Sequence, residues 1–448
     1  PVRCSGLRLP ITNGQTDEDI KNVLSAFKYH FPKVLEEEGT TVEDISINFD
    51  LPFEETIKRY RIQSKTRKPN FEVQHEKTIH KIDKITWDNL LGDNGNFDWE
   101  GCRFTEETFC DNIEPENNWN FHYVIIRDEN KNPILASFFT ELIFKDDMVA
   151  PANVSKQIEE IRKTDRYYLS SKVIMMGSLI TVGNHLYINR ETDIWKSALL
   201  ELISIMNDEK KKCGASMVQF RDLNSLDIEI NDFLIKEGFI KVEMPDAHTL
   251  YNLQWETESE YLSSFSSGSR WHFKKMISSK KIYFNVNILE GEDKSSKGNV
   301  DTWYMLYSNV KEKSYNINTY ELPVKYFSNM IKHPNWEIIE IRLKPEYDER
   351  EIKNQVVAVA FCYKSQKNNY SMMAVGMDYN YVLSHGSYRQ ILYQSVLRAN
   401  SLKCNKLYLG MDAAVEKRRL GVKVIPSSAY LQADDNFNME LMGAVYTK

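Results

Sequence analysis

The stretch from Asp378 to Lys417 gathers residue types suited to acid–base and phosphate chemistry. Asp378 and Asp412 stand near the C-terminal ends of two expected strands and are candidate general bases. His385 titrates near neutral pH and is a third. Tyr388 is a candidate proton donor to a leaving group. Around them, Ser384-His385-Gly386-Ser387-Tyr388-Arg389-Gln390 joins a strand to a helix. A helix N-terminus offers unpaired N–H groups and the positive end of a dipole, and it cradles a pyrophosphate without a metal. Gly386 permits the tight turn and Ser387 is placed to cap. Arg389 and Gln390 are within reach of phosphate oxygens. Lys417 is either a phosphate or carboxylate contact or a surface charge. Structural alternatives stand beside these roles: Asp378 caps a turn, Asp412 pairs with Lys417 or Arg418, and His385 is simply exposed. The matching place in the first half, Tyr187 to Asp193, carries Glu191 and Asp193, which cap a helix well but repel a phosphate. There Asp222 corresponds to Asp412, with Arg221 beside it as a partner.

These residues need a framework. Phe121–Asp128 and Pro133–Phe144 read as two strands with a polar turn between them, a hairpin signal. Lys172–Thr181 reads as a third strand, followed by a loop, the helix IWKSALLELISIMNDEKKK, the strand ASMVQFRDL, the helix IEINDFLIKEGF, and two strands, KVEMP and HTLYNLQW. From WEIIEIRLK onward the order recurs: VVAVAFCYK, NYSMMAVGMDY, a loop, the helix ILYQSVLRANSL and the strand KLYLGMD. Aligning Cys213 with Cys404 gives one duplicated unit of just under 200 residues.

Composition bounds the class. The chain has 448 residues, 42% hydrophobic and 27% charged, which predicts a globular protein of two or three domains. A net charge of −7 argues against a DNA- or RNA-coating protein. No apolar run is long enough to span a membrane, and no signal-peptide pattern opens the chain. Six dispersed cysteines without a C-x-x-C pair predict reduced thiols and a cytoplasmic location. H-E-x-x-H, P-loop and G-x-G-x-x-G motifs are missing, and no metal is expected.

The duplicated order resembles the GNAT acyltransferase superfamily in the tandem form of the FemAB-like aminoacyltransferases. The sharper likeness lies in VGMDYNYVLSHGSYRQILYQSVLRANSLKCNKLYLGMDAAVEKRRLG, at Gly376, Asp378, Tyr379, Tyr388, Tyr393, Leu407, Leu409, Gly410, Lys417, Leu420 and Gly421. The resemblance implies an α+β fold (α/β mixed sheet) of two GNAT-like domains, each a mixed, mostly antiparallel sheet flanked by helices. It places the first over 79–256 and the second over 286–448. It implies attack of an amine on a thioester, with Asp378, Asp412 or His385 as base and Tyr388 protonating the thiolate. The family's phosphate loop is usually Q/R-x-x-G-x-G/A, and here it is reduced to His385-Gly386-Ser387. Acyl-CoA or an acyl carrier protein is the implied donor, with aminoacyl-tRNA as the alternative and a non-catalytic binding module as a third reading. The acceptor is a small-molecule or lipid amine.

Two segments flank these units. Residues 257–285 form a basic connector, with Arg270, Lys274, Lys275, Lys280 and Lys281 near Trp271 and Phe273, either a solvated helix face or a docking patch for an acidic partner. Residues 1–35, including GLRLPITNGQTDEDIKNVLSAF, resemble the C-terminal end of pyridoxal-phosphate-dependent α-oxoamine synthases. The cofactor lysine of that family lies far upstream, so no pyridoxal phosphate is expected in this chain. A fused or partner synthase is implied, making an amino ketone that the acyltransferase would acylate. Residues 36–78 read as a linker.

Overall fold

The computed structural model describes residues 69–347 and 355–433, together with the backbone of a two-residue ladder between Arg3–Cys4 and Leu7–Arg8. The rest of residues 1–35, the segment that resembles an oxoamine synthase end, lies outside the described residues.

The first half begins with β1 (Glu72–Glu76), which lies inside the stretch expected to be linker. Helices α1 (Lys84–Leu90) and α2 (Trp99–Thr108) follow, each started by an aspartate, Asp83 and Asp98, whose carboxylate accepts an N–H of the first turn. Strands β2 (Asn120–Arg127) and β3 (Pro133–Lys145) form the expected hairpin. Then come α3 (Ala152–Arg162), β4 (Ser170–Met176), β5 (Leu186–Ile188), α4 (Trp195–Cys213), β6 (Met217–Asn224), α5 (Ile228–Lys236) and β7 (Ile240–Tyr251). Sequence reading left β5 in a loop; three residues are too short for a periodic signal, yet they pair with β3. It also split β7 in two at Pro245; the strand is continuous, with a register shift there. Helix α4 buries Ala198, Leu199, Leu202, Ile203 and Met206 on one stripe and ends at Gly214, whose φ of 70° closes the last turn beside three lysines.

The connector is two short helices, α6 (Glu258–Ser263) and α7 (Ser267–Met276), and the second half then repeats the first. It runs β8 (Phe284–Leu289), α8 (Asp293–Lys297), α9 (Val300–Lys311), α10 (Val324–Lys332), β9 (Trp336–Leu343), β10 (Val356–Lys364), β11 (Asn369–Met377), α11 (Ser387–Ser401), β12 (Lys406–Tyr408), α12 (Ala414–Arg418) and β13 (Lys423–Ala433).

All strands from β1 onward join one thirteen-stranded sheet, in the order β8-β9-β10-β11-β12-β7-β13-β6-β4-β3-β2-β1, with β5 on β3. Pairing is antiparallel except at two places, β4 with β6 and β11 with β12. The centre of the sheet is an exchange. The last strand of the first half, β7, pairs with β12 of the second, while the last strand of the second half, β13, pairs with β6 of the first. The two exchanged strands pair with each other. Each half therefore has its own helix-covered core, α4 over Phe220 and Tyr430 in one, α11 over Tyr370, Leu407 and Leu409 in the other. A third core is common to both, joining Trp87, Phe104 and Phe138 to Trp303, Phe327 and Trp336.

Candidate active site

The two parallel pairs are the places where a GNAT-type site would open, and they differ. In the second half the β11–β12 ladder runs from Asn369↔Lys406 to Ser371↔Tyr408 and stops, while β11 continues along β10 to Met377. Its register with β10 slips between Met372 and Ala374, so Met373 is an extra, bulged residue at the divergence. In the first half the β4–β6 ladder stops likewise at Met175↔Gln219. There the buried Arg221 fills the gap, its guanidinium donating to the Ser178 carbonyl at 2.9 Å and to Asp222 Oδ2 at 2.9 Å. One opening is plugged by a cation; the other has a bulged edge.

Helix α11 starts on one side of the second opening. Gly386 holds φ at 76°, and no side chain caps the helix. Ser387 is buried with Oγ unpartnered, and the Lys280 stem lies 3.3 Å from where a Gly386 Cβ would sit. Lys280 Nζ donates to the Ser384 carbonyl at 2.5 Å. The helix start expected to cradle a phosphate therefore has its backbone N–H groups without a side-chain cap. The side chains expected to complete it are engaged inside the protein. Arg389 makes a two-pronged pair with Glu416, at 2.7 and 2.8 Å. Gln390 Nε2 donates to the Ile277 carbonyl at 2.6 Å. Lys417 is no surface charge: it is 3% exposed, donates to the Met411 carbonyl, and burial lowers its pKa to about 8.

On the other side of β12 lies a cavity of about 550 Å3, walled by both halves. Leu407 and Leu409 face α11, whereas Tyr408 and Gly410 line the cavity, opposite Tyr187, Arg190 and Asp222. The opening past Tyr408 thus lies between the start of α11 and the cavity.

The histidine in this wall was not singled out in the sequence. His248, on the exchanged strand β7, lines the cavity and is 1% exposed. Its Nδ1 is 3.2 Å from the Gly410 carbonyl oxygen, which can only accept, so Nδ1 carries the proton. Nε2 keeps its lone pair and has no partner. Burial, then the Lys417 ammonium, push its pKa below the ordinary histidine value. This is a neutral base with a fixed tautomer.

The residues proposed from sequence stand elsewhere. Asp378 Oδ1 accepts the Asn380 N–H at 3.0 Å and caps a short turn. His385 Nδ1 is 2.9 Å from Ser384 Oγ, with its ring edge-on to Tyr283 and Tyr381. Asp412 is exposed, with φ at 59°. Tyr388 lies beside Asp412, Glu416 and Tyr379, and burial raises its pKa, keeping it protonated. None of these four lines the cavity. Asp222 does, also at positive φ (57°), so the aligned aspartates share a left-handed conformation, Asp222 within the last residues of β6 and Asp412 beyond the end of β12.

No family model and no curated protein matches this chain. Solved structures do. FemX matches over 84% of this chain and 100% of its own, at 11% identity and a TM-score of 0.51. Saccharomyces cerevisiae N-myristoyltransferase with bound myristoyl-CoA matches over 81% and 79%, at 9% identity and a TM-score of 0.45. The C-terminal domain of a lysylphosphatidylglycerol synthetase from Agrobacterium fabrum matches over 80% and 93%, at 9% identity and a TM-score of 0.44. The chain has a tandem GNAT fold of the FemAB-like type. In this fold the two halves are the repeat expected from sequence, with an exchange of final strands that the repeat did not announce. Among the described residues, no helix is long and apolar enough to cross a membrane.

Proposed function

We propose that this chain is an acyltransferase, moving an acyl group from a thioester to an amine. The observation that carries the reading is the diverging β11–β12 pair, with an uncapped helix start on one side and, on the other, a cavity holding a neutral His248 whose Nε2 has no partner. A phosphopantetheine phosphate sits at the α11 N-terminus, against the Ser387 N–H and Lys280. The arm passes through the opening and presents its carbonyl beside the bulge at Met373, where β11 amides stabilise the oxyanion. The amine binds in the cavity as the free base, where Asp222 Oδ1, which has no partner, accepts one of its N–H groups. His248 Nε2 takes one proton of the neutral amine as the N–C bond forms; the C–S bond then breaks, the imidazolium's proton neutralises the departing thiolate, and Tyr388 donates a hydrogen bond to its sulfur.

An acyl carrier protein suits the donor role better than free acyl-CoA. Arg389, Gln390 and Lys417 are occupied, whereas Lys274, Lys275 and Trp271 on α7 are exposed beside the helix start. An acidic carrier protein complements that face. The acceptor is an amine, with an amino-ketone lipid or secondary metabolite as the leading class.

Acyl carrier protein and acyl-CoA thioesters, each offered with a panel of amines, test the reading through thiol release and product mass. Amine-dependent thiol release is the expected result. Protection of charged tRNA, with no thioester consumed, would overturn it.

A further inference from the structure

A second cluster of chemically capable side chains lies at the far edge of the sheet, away from the cavity. His75 on β1, His122 on β2 and Glu209 in the last turns of α4 place ligand atoms within 4.8 Å of one another. His75 Nε2 is 2.9 Å from His122 Nδ1, and His122 Nδ1 is 3.9 Å from Glu209 Oε2. The three come from separate elements, so tertiary packing alone brings them together.

We propose that His75, His122 and Glu209 bind one divalent transition-metal ion of the zinc class. Two imidazoles and a carboxylate are the ligand types such ions select over magnesium or calcium. Tetrahedral zinc with Zn–N bonds of about 2.0–2.1 Å separates two nitrogens by about 3.3 Å, so the histidine pair needs to part by only a few tenths of an ångström. Glu209 needs a larger adjustment, and its surroundings permit one. Its present partners, Lys77 and Lys212, are surface lysines with side chains 69% and 68% exposed, and such pairs hold weakly. The C-terminal end of α4 adds the negative pole of its dipole. One ring donates to the other across the 2.9 Å contact, so a change of tautomer in the donating ring turns both nitrogens' lone pairs toward the ion. Phe139 stacks on the His122 ring at 4.5 Å and walls the inner side, while His75 is half-buried and leaves a fourth position toward solvent. Such an ion would pin edge strand β1 to α4.

The test uses the full chain, stripped with a chelator and titrated with Zn2+ and separately with Co2+. Native mass spectrometry is expected to show one bound ion, and Co2+ to give the visible absorption of a tetrahedral site. His75→Gln and Glu209→Gln are each expected to weaken binding more than tenfold while leaving the far-UV spectrum unchanged. His75 is half-buried and the glutamate change is isosteric, so neither threatens the fold. No stoichiometric ion in the full chain would overturn the proposal, as would unchanged affinity in both variants.

Discussion

At the scale of the residue, His248 is where a substitution should speak most clearly. Its tautomer is fixed by the Gly410 carbonyl and its pKa lies below the ordinary histidine value. A base acts when neutral, so activity should persist below pH 6.5 and fall only on further acidification, which a pH profile of kcat/KM would read. His248→Ala should lower kcat/KM by about 10²- to 10⁴-fold. The sequence could not single it out. His248 and Gly410 lie far apart in the chain, and the strand exchange alone makes them neighbours. Gly386 was legible, because a tight turn before a helix calls for glycine and it takes a φ of 76°. The duties of Arg389 and Gln390 were not, because their partners Glu416 and Ile277 come from other elements.

At the scale of the element, what was legible was what its own periodicity encodes. The β2–β3 hairpin, α4, α5, β11 and α11 all followed from local pattern. Strand β13 did not. KVIPSSAYLQA carries a proline and two serines and lacks clean alternation, and its burial is supplied by strands of the other half. Leu431, 5% exposed in the common core, should therefore cost about 2–5 kcal/mol on truncation to alanine, read as a lowered denaturant midpoint. Helices α8 to α10 were also missed; their buried faces rest on a few aromatics, among them Trp303, Tyr326 and Phe327, set among polar residues. Helix α9 sits so close on β11 that a Cβ at Gly376 would meet the Tyr307 backbone nitrogen at 2.7 Å. Gly376→Ala should thus push α9 off the sheet at about 1–3 kcal/mol, and thermal unfolding would show it.

At the scale of the whole molecule, the halves are tied by polar networks as well as by the common core. Tyr363 of β10 donates to Asp98 at the start of α2, at 2.6 Å. Asn318 of the second half donates to Asp147 and Glu159 of the first, at 2.9 and 2.8 Å. Burial alone would raise the pKa of Glu159, but hydrogen bonds from Lys145, Asn318 and Arg162 outweigh it and hold the pKa to about 2. A carboxyl depressed in the folded state stabilises above its unfolded pKa of about 4.5, and that stability is lost as pH falls toward about 2. Glu159→Gln should therefore be less stable than the parent at pH 7, with the gap closing between pH 4.5 and 2 in urea titrations. The duplicated architecture was legible from the recurring order of elements; its merger into one sheet was not, because a repeat reports similarity between halves and not which strand lies beside which. That merger also bears on synthesis. Because β13 fills a slot between β6 and β7, a growing polypeptide cannot complete its amino-terminal lobe until nearly all of the described chain has left the ribosome. Until then the nascent lobe keeps the backbone groups of β6 and β7 that β13 will pair unsatisfied at an open slot.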